Sequence, residues 1–225
     1  MDSLALDEGA AFRPPGSRVL QFMKYGPLLF LGFFLTVASS WCGLVLIPQI
    51  QFGGQQAIKV EETGEFYPQQ RPGQAEQGMQ VYRANGCIYC HSQQVRAESF
   101  GSDIARNWGP RRTVSRDYLY DKPVLLGTMR TGPDLTNIGL RQASVFWHLL
   151  HFYNPRLTSK GSIMPAFPYL FEKRRIGARP SPEALTLPAP NAPGPNYEIV
   201  PKAEARLLVQ YMLSLKANAP LPEAK

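Results

Sequence analysis

A mainly α protein is predicted, with one membrane-spanning helix near the N-terminus followed by a small helical domain. Three observations predict it. No residue from Gly26 to Ile47 carries a charge. Past residue 70, three segments repeat apolar residues at helical spacing between helix start and stop residues. Two of the three cysteines fall in one pentapeptide, Cys87-Ile88-Tyr89-Cys90-His91.

With 225 residues, the chain has room for one sizeable core or for a small domain with appendages. A hydrophobic content of 44% is ordinary for a globular protein and argues against a polytopic membrane protein. The formal charge of +7 suits nucleic acid, an anionic membrane or an acidic protein partner. Three cysteines are too few for a disulfide framework.

The first element is the apolar run. As a helix, Gly26–Ile47 would be roughly 33 Å long, enough to cross the hydrocarbon layer of a bilayer. The apolar core of a cleaved signal is shorter and ends at a small-residue site. Here Ala38-Ser39-Ser40 leads into a further apolar stretch, Trp41 to Ile47, so a retained anchor over 25–48 is expected. Cys42 within it reads as an inert thiol. Arg13, Arg18 and Lys24 precede the helix and only Lys59 follows closely. That asymmetry places residues 1–24 as a cytoplasmic tail and everything beyond about residue 50 outside.

Residues 49–70 read as a linker opening with Gly/Gln-rich sequence, and 71–225 as the exported domain. Its first helix is expected at Pro72–Asn85, with Pro72 in the first turn and Gly86 just past the end. Ala75, Met79 and Tyr82 share its apolar face. A second helix is expected near Ser144–Tyr153, capped by Ser144, stopped by Asn154-Pro155 and apolar along Val145, Leu149 and Phe152. A third is expected over about Pro201–Lys216, with a stripe of Leu208, Tyr211, Met212 and Leu215. Between the last two, residues 179–201 hold six prolines before Pro201. That density cannot continue a helix or a central strand, so an extended surface segment is expected, wrapping the domain or a partner.

The pentapeptide matches the c-type haem attachment pattern. Two thiols one helical turn apart reach the two vinyl groups on one edge of the macrocycle, and His91 then offers an imidazole nitrogen to the iron. A thioredoxin-like pair would need a βαβ setting, which is absent, and a zinc site would need ligands beyond His148 and His151. One covalent haem c is therefore expected. For the second axial ligand the candidates are Met79, Met129, Met164, Met212, His148 and His151. Met79 and Met212 fit core stripes, and the two histidines fit a helix. Met164 is favoured, in the non-helical run Gly161-Ser162-Ile163-Met164-Pro165, where Pro165 blocks helix formation. Met/His ligation raises the potential of a cytochrome c. His91 needs an acceptor for its other N–H, and the Pro133 carbonyl in Thr131-Gly132-Pro133-Asp134-Leu135 is a candidate.

Asn85-Gly86-Cys87-Ile88-Tyr89-Cys90-His91-Ser92-Gln93-Gln94 resembles the haem motif of the mono-haem cytochrome c subunit (subunit II) of cbb3-type cytochrome c oxidases. Arg130-Thr131-Gly132-Pro133-Asp134-Leu135, Trp147-His148 with His151, Tyr153-Asn154-Pro155-Arg156 and Ser162-Ile163-Met164-Pro165-Ala166 resemble the same family, in its order. Ala97 departs from it, standing where the family usually has proline. The resemblance implies a class I cytochrome c fold, with Pro133 as the acceptor for His91 and with His91 and Met164 as axial ligands. It implies an electron-transfer subunit that is not itself catalytic. Such a subunit passes electrons from a soluble or membrane-bound cytochrome c to a haem–copper catalytic subunit, beside a further cytochrome c subunit. It also implies a bacterial inner membrane with the haem domain on the periplasmic side. The small cytochrome subunit of nitric-oxide reductase and a free-standing anchored electron shuttle share the plan, but Ser92-Gln93 and the Met164 loop favour the oxidase.

Between Arg96 and Arg179 there are 14 basic residues against six acidic ones. Arg130 is the first candidate to neutralise a haem propionate. The remainder is expected to be a solvated face or a surface for an acidic donor, membrane lipid or the catalytic subunit. Nucleic acid is not expected of a segment facing outward from an anchored haem domain.

Overall fold

The computed structural model describes the backbone of residues 16–224 and the side chains from Lys24 onward. Residues 1–15, the greater part of the expected cytoplasmic tail, lie outside the described residues. The chain forms two compact units that divide between Gln55 and Gln56.

The first unit is helical from its first described residue. Helix α1 (Gly16–Trp41) passes through a π-helical stretch (Cys42–Leu46) into α2 (Ile47–Phe52). Helical backbone thus begins well before the uncharged run does. The π stretch has a local cause. Pro48 cannot donate to the carbonyl four residues back and its ring crowds that carbonyl, and the Ile47 N–H instead reaches Cys42 O, five residues back. Over Lys24–Phe52, 29 residues, this helix is long and apolar enough to cross a membrane, with Leu28, Phe30, Phe33 and Leu44 exposed.

The second unit opens with structure where only a linker was expected. A short antiparallel hairpin pairs β1 (Ile58–Lys59) with β2 (Phe66–Tyr67), turned by Gly64 at φ 72° and anchored by buried Val60. Helix α3 (Gly73–Ala84) follows, one residue shorter at each end than expected: Pro72 stands outside it as the N-cap and not in its first turn, while Gly86 at φ 69° lies just past its end, where a left-handed backbone favours glycine. Helices α4 (Ile138–Arg141), α5 (Val145–Tyr153) and α6 (Ala203–Ser214) complete the bundle. Ser144 caps α5 by accepting from the Trp147 N–H at 3.2 Å.

Helices α3 and α6 cross at the centre of the core. Ala75, Met79 and Tyr82 meet Ala205, Leu208, Tyr211 and Met212, all nearly inaccessible. The Tyr82 and Tyr211 rings lie 5.3 Å apart. Gly78 permits the approach, because a Cβ there would stand 1.9 Å from Leu207 O. Gly139 does the same for α4, at 2.4 Å from Leu213 O.

The proline-rich region differs from expectation in its middle and at its C-terminal end. Residues 197–201 form a strand, β4 (Tyr197–Pro201), antiparallel to β3 (Phe171–Arg175). On its other side β4 receives the Leu185 N–H at Ile199 O, 2.8 Å. The intervening chain lies along the domain and sends Leu185 and Leu187 into the main core. Prolines flank these contacts and leave the bonding N–H groups to other residues.

Candidate functional site

The attachment motif begins where α3 stops. Gly86, in the left-handed region, turns the chain into a 3-10 turn over Cys87–Tyr89, and His91 N–H bonds Cys87 O at 3.0 Å. Burial pushes the Cys87 thiol up to about 11. Cys90 is exposed.

His91 is held by a segment 42 residues further along. Its Nδ1 lies 2.8 Å from Pro133 O. A carbonyl only accepts, so Nδ1 carries the proton and the Nε2 lone pair is left free. Burial lowers the imidazole's proton affinity, against the opposing effect of the Pro133 carbonyl, so the ring is favoured neutral. Gly132 makes the contact close: a Cβ there would lie 2.3 Å from His91 Cε1, and its N–H bonds Cys90 O at 2.9 Å. Gly127, at φ 86°, approaches the backbone of His91 and Ser92 from beside it.

Three aspartates hold the loop from Gly86 to Asn137. Asp134 accepts from Ser92 Oγ at 2.7 Å, Gln94 N–H at 2.7 Å and Thr136 N–H at 2.8 Å. Asp117 accepts from Tyr67 Oη at 2.6 Å and from both Arg111 amino groups. Asp103 is fully buried and takes Arg96 along its backbone N–H, Nε and Nη2, with Arg130 as a second guanidinium. Burial would raise the Asp103 carboxyl, but the hydrogen bonds from Arg96 and Arg130 hold it below the usual carboxylate range.

Cys87, Cys90, His91 and Pro133 are therefore brought together, while Arg130 has other partners. It pairs with Asp103, donates to Gln94 O and lies 5.6 Å over the Trp108 ring. Arg141 was not distinguished in sequence from its basic neighbours. It has no carboxylate partner among the described residues, donates to Asp134 O, and its charge is felt at His91. Burial lowers its proton affinity.

Met164 is partly buried and borders the same core as Cys87 and Ile88. Its N–H bonds Ser162 Oγ at 3.3 Å, and its carbonyl accepts from Arg156 at 3.4 Å. Met79 and Met212 are buried between α3 and α6, and Met129 is 60% exposed. His148 is buried with Nε2 against Gln142 O at 2.8 Å. His151 stacks on Trp147 at 4.6 Å and donates from Nδ1 to Thr158 Oγ1 at 2.6 Å, because that hydroxyl itself donates to Pro155 O. Burial, with His91 and His148 nearby, pushes His151 down to about 4.

Two adjacent thiols, a neutral imidazole with one nitrogen bonded and the other free, and a glycine cradle against that imidazole suit a covalently held haem. A model of the cytochrome c oxidase mono-haem subunit family, FixO, matches residues 24–193. The chain belongs to that family, and the resemblance to cbb3-type subunit II stands with it. It is a membrane-anchored mono-haem cytochrome c of the electron-transport type, part of an oxidase complex that includes a catalytic subunit. No curated protein matches it.

Proposed function

We propose that Cys87 and Cys90 hold one haem c through thioether bonds, with His91 Nε2 and the Met164 thioether as axial ligands, and that the subunit relays electrons. The donor is a soluble or membrane-bound cytochrome c, and the acceptor is the haem–copper subunit that reduces oxygen. A further cytochrome c subunit completes the assembly. Bound haem supplies a one-electron iron couple. The chain's own residues hold the ring, set the ligand field and keep bulk water from the iron.

The observation that carries this reading is the His91–Pro133 hydrogen bond. It leaves a lone pair on Nε2 and orients the ring before any metal is considered. Met164 is supported by elimination: Met79 and Met212 are committed to the helix crossing, and Met129 lies in the open. For a propionate, Arg141 is the better partner than Arg130. Asp103 already pairs with Arg130, whereas Arg141 is exposed, is in no ion pair among the described residues, and donates to the Asp134 carbonyl. The anchor, as Gly26–Ile47 within the longer helix, is read as spanning a bacterial inner membrane with residues 1–24 inside and 71–225 on the periplasmic side. Residues 49–70 then join anchor to haem domain, and residues 179–201 wrap that domain.

Denaturing electrophoresis with haem-peroxidase staining tests attachment: a coloured band at the chain's mass is expected, and a colourless one overturns the reading. Replacing Met164 by Ala should keep the stain and lower the reduction potential, by a sizeable part of the roughly 0.8 V range that axial ligands span. Replacing Met129 by Ala should leave the potential unchanged.

A further inference from the structure

The strand pair that ends the proline-rich excursion carries a charge arrangement that the electron-relay reading does not use. In β3, Glu172, Lys173, Arg174 and Arg175 are all exposed, whereas four of the five residues of β4 are buried. β4 is bonded on both sides, so β3 is the outer strand. Side chains alternate across a strand. Arg174 therefore falls on one face with Glu198 opposite it, and the two pair at 2.8 Å. Lys173 and Arg175 fall on the other face, and neither has a carboxylate partner among the described residues. Both lie against one ring instead: Lys173 Nζ is 5.0 Å and Arg175 Cζ 5.9 Å from the Tyr197 centroid. Arg175 Nε also donates to Tyr197 Oη at 3.4 Å.

Charges on an edge strand also discourage strand-to-strand aggregation. That role does not require two unpaired cations gathered on one tyrosine. An acidic protein partner is a poor fit, because protein interfaces are built around apolar cores depleted of lysine, and residues 172–175 offer no exposed apolar side chain. Tyrosine concentrates at the membrane–water boundary, and Lys and Arg act there as anchors beside it.

We propose that the Lys173–Arg175–Tyr197 face is a docking surface for anionic phospholipid headgroups. Lys173 and Arg175 meet the phosphates, and Tyr197 seats its ring at headgroup level. Each cation near an anionic leaflet strengthens binding by about fivefold. Two such cations would be a weak anchor for a free protein. They suffice for a chain whose apolar helix already holds its domain at the bilayer, because the contact is then intramolecular and its effective concentration is high. This inference does not depend on which residues ligate the haem.

The test uses the full-length haem-loaded chain in lipid nanodiscs, one set zwitterionic and one about one-third phosphatidylglycerol. Lysines are acetylated with a water-soluble reagent and quantified by mass spectrometry, with exposed Lys160 and Lys216 as internal references. Lys173 should react about fivefold more slowly, relative to the references, in the anionic discs. The difference should vanish near 0.5 M salt, where the screening length is only a few ångströms. Arg175→Glu should remove most of the protection without changing haem content. Equal Lys173 reactivity in the two lipids overturns the proposal. So does protection that appears only in the assembled oxidase in uncharged detergent, which would assign the face to a protein neighbour.

Discussion

The α3–α6 crossing and the loop from Gly86 to Asn137 support the attachment motif from two sides by different physics. The crossing is apolar and close: Met79, Tyr82, Tyr211 and Met212 fill it, and Gly78 lets the two backbones approach. The loop has little regular structure, so its backbone N–H groups cannot satisfy one another in a ladder. Asp103, Asp117 and Asp134 accept them instead and draw in Arg96, Arg111 and Arg130. One region is specified by volume, the other by carboxylates with several donors each. The first should fail by overpacking and the second by loss of charge.

The largest effect is expected from Gly78→Ala. A methyl 1.9 Å from Leu207 O cannot be accommodated without separating the helices. The cost should be about 3 kcal/mol or more, read as a large drop in the denaturant midpoint and in haem-loaded yield. A wild-type midpoint would show that the crossing is looser than these distances indicate.

Asp103→Asn should cost less, about 2 kcal/mol. Removing one member of a buried pair costs more than that, but both guanidiniums keep some solvent exposure. The effect should depend on pH in a direction Gly78→Ala does not share. A carboxyl whose folded-state pKa is depressed contributes stability above its unfolded pKa, near about 4, and loses it as pH falls towards the folded value. The gap between wild type and Asp103→Asn should therefore be constant from pH 7 to about 5 and narrow below about 4. A gap that stays constant down to pH 3 would mean that Asp103 acts through shape alone.

Ser144→Ala should be the mildest, about 1 kcal/mol from the lost α5 cap. Its haem spectrum should match wild type, since the cap touches neither support. A spectral change would show that α5 transmits strain to the Met164 loop.

Much of the helical frame was legible because it is periodic. Pro72, Gly86, Ser144 and Asn154 mark local boundaries, and the apolar stripes repeat at the spacing that a helix imposes. The attachment motif was legible for a similar reason, since its chemistry is confined to five consecutive residues. The β1–β2 hairpin was missed because two-residue strands carry no measurable alternation. β4 was missed because prolines flank the contacts that make it a strand.

The basic stretch was the hardest to read. Five of its arginines, Arg96, Arg111, Arg116, Arg130 and Arg174, turn out to be in ion pairs. Arg111 also donates to Ala219 O, and Arg112 to Glu223 O, so both pin the C-terminal segment. Neither belongs to an open docking surface. Which cations stay unpaired depends on partners as far as 107 residues away, as for Arg116 and Glu223.

By itself the sequence determined what acts over short range: an apolar run long enough for a bilayer, three helices with their stops, and two thiols and an imidazole within one turn. Only the tertiary structure decided which arginines are already in ion pairs and that Arg141 is in none among the described residues, and it brought the Pro133 carbonyl, a candidate acceptor in the sequence, within 2.8 Å of His91 Nδ1. The physical reason is that a carboxylate or carbonyl can satisfy a donor from anywhere in the chain. Spacing along the sequence carries no record of that choice.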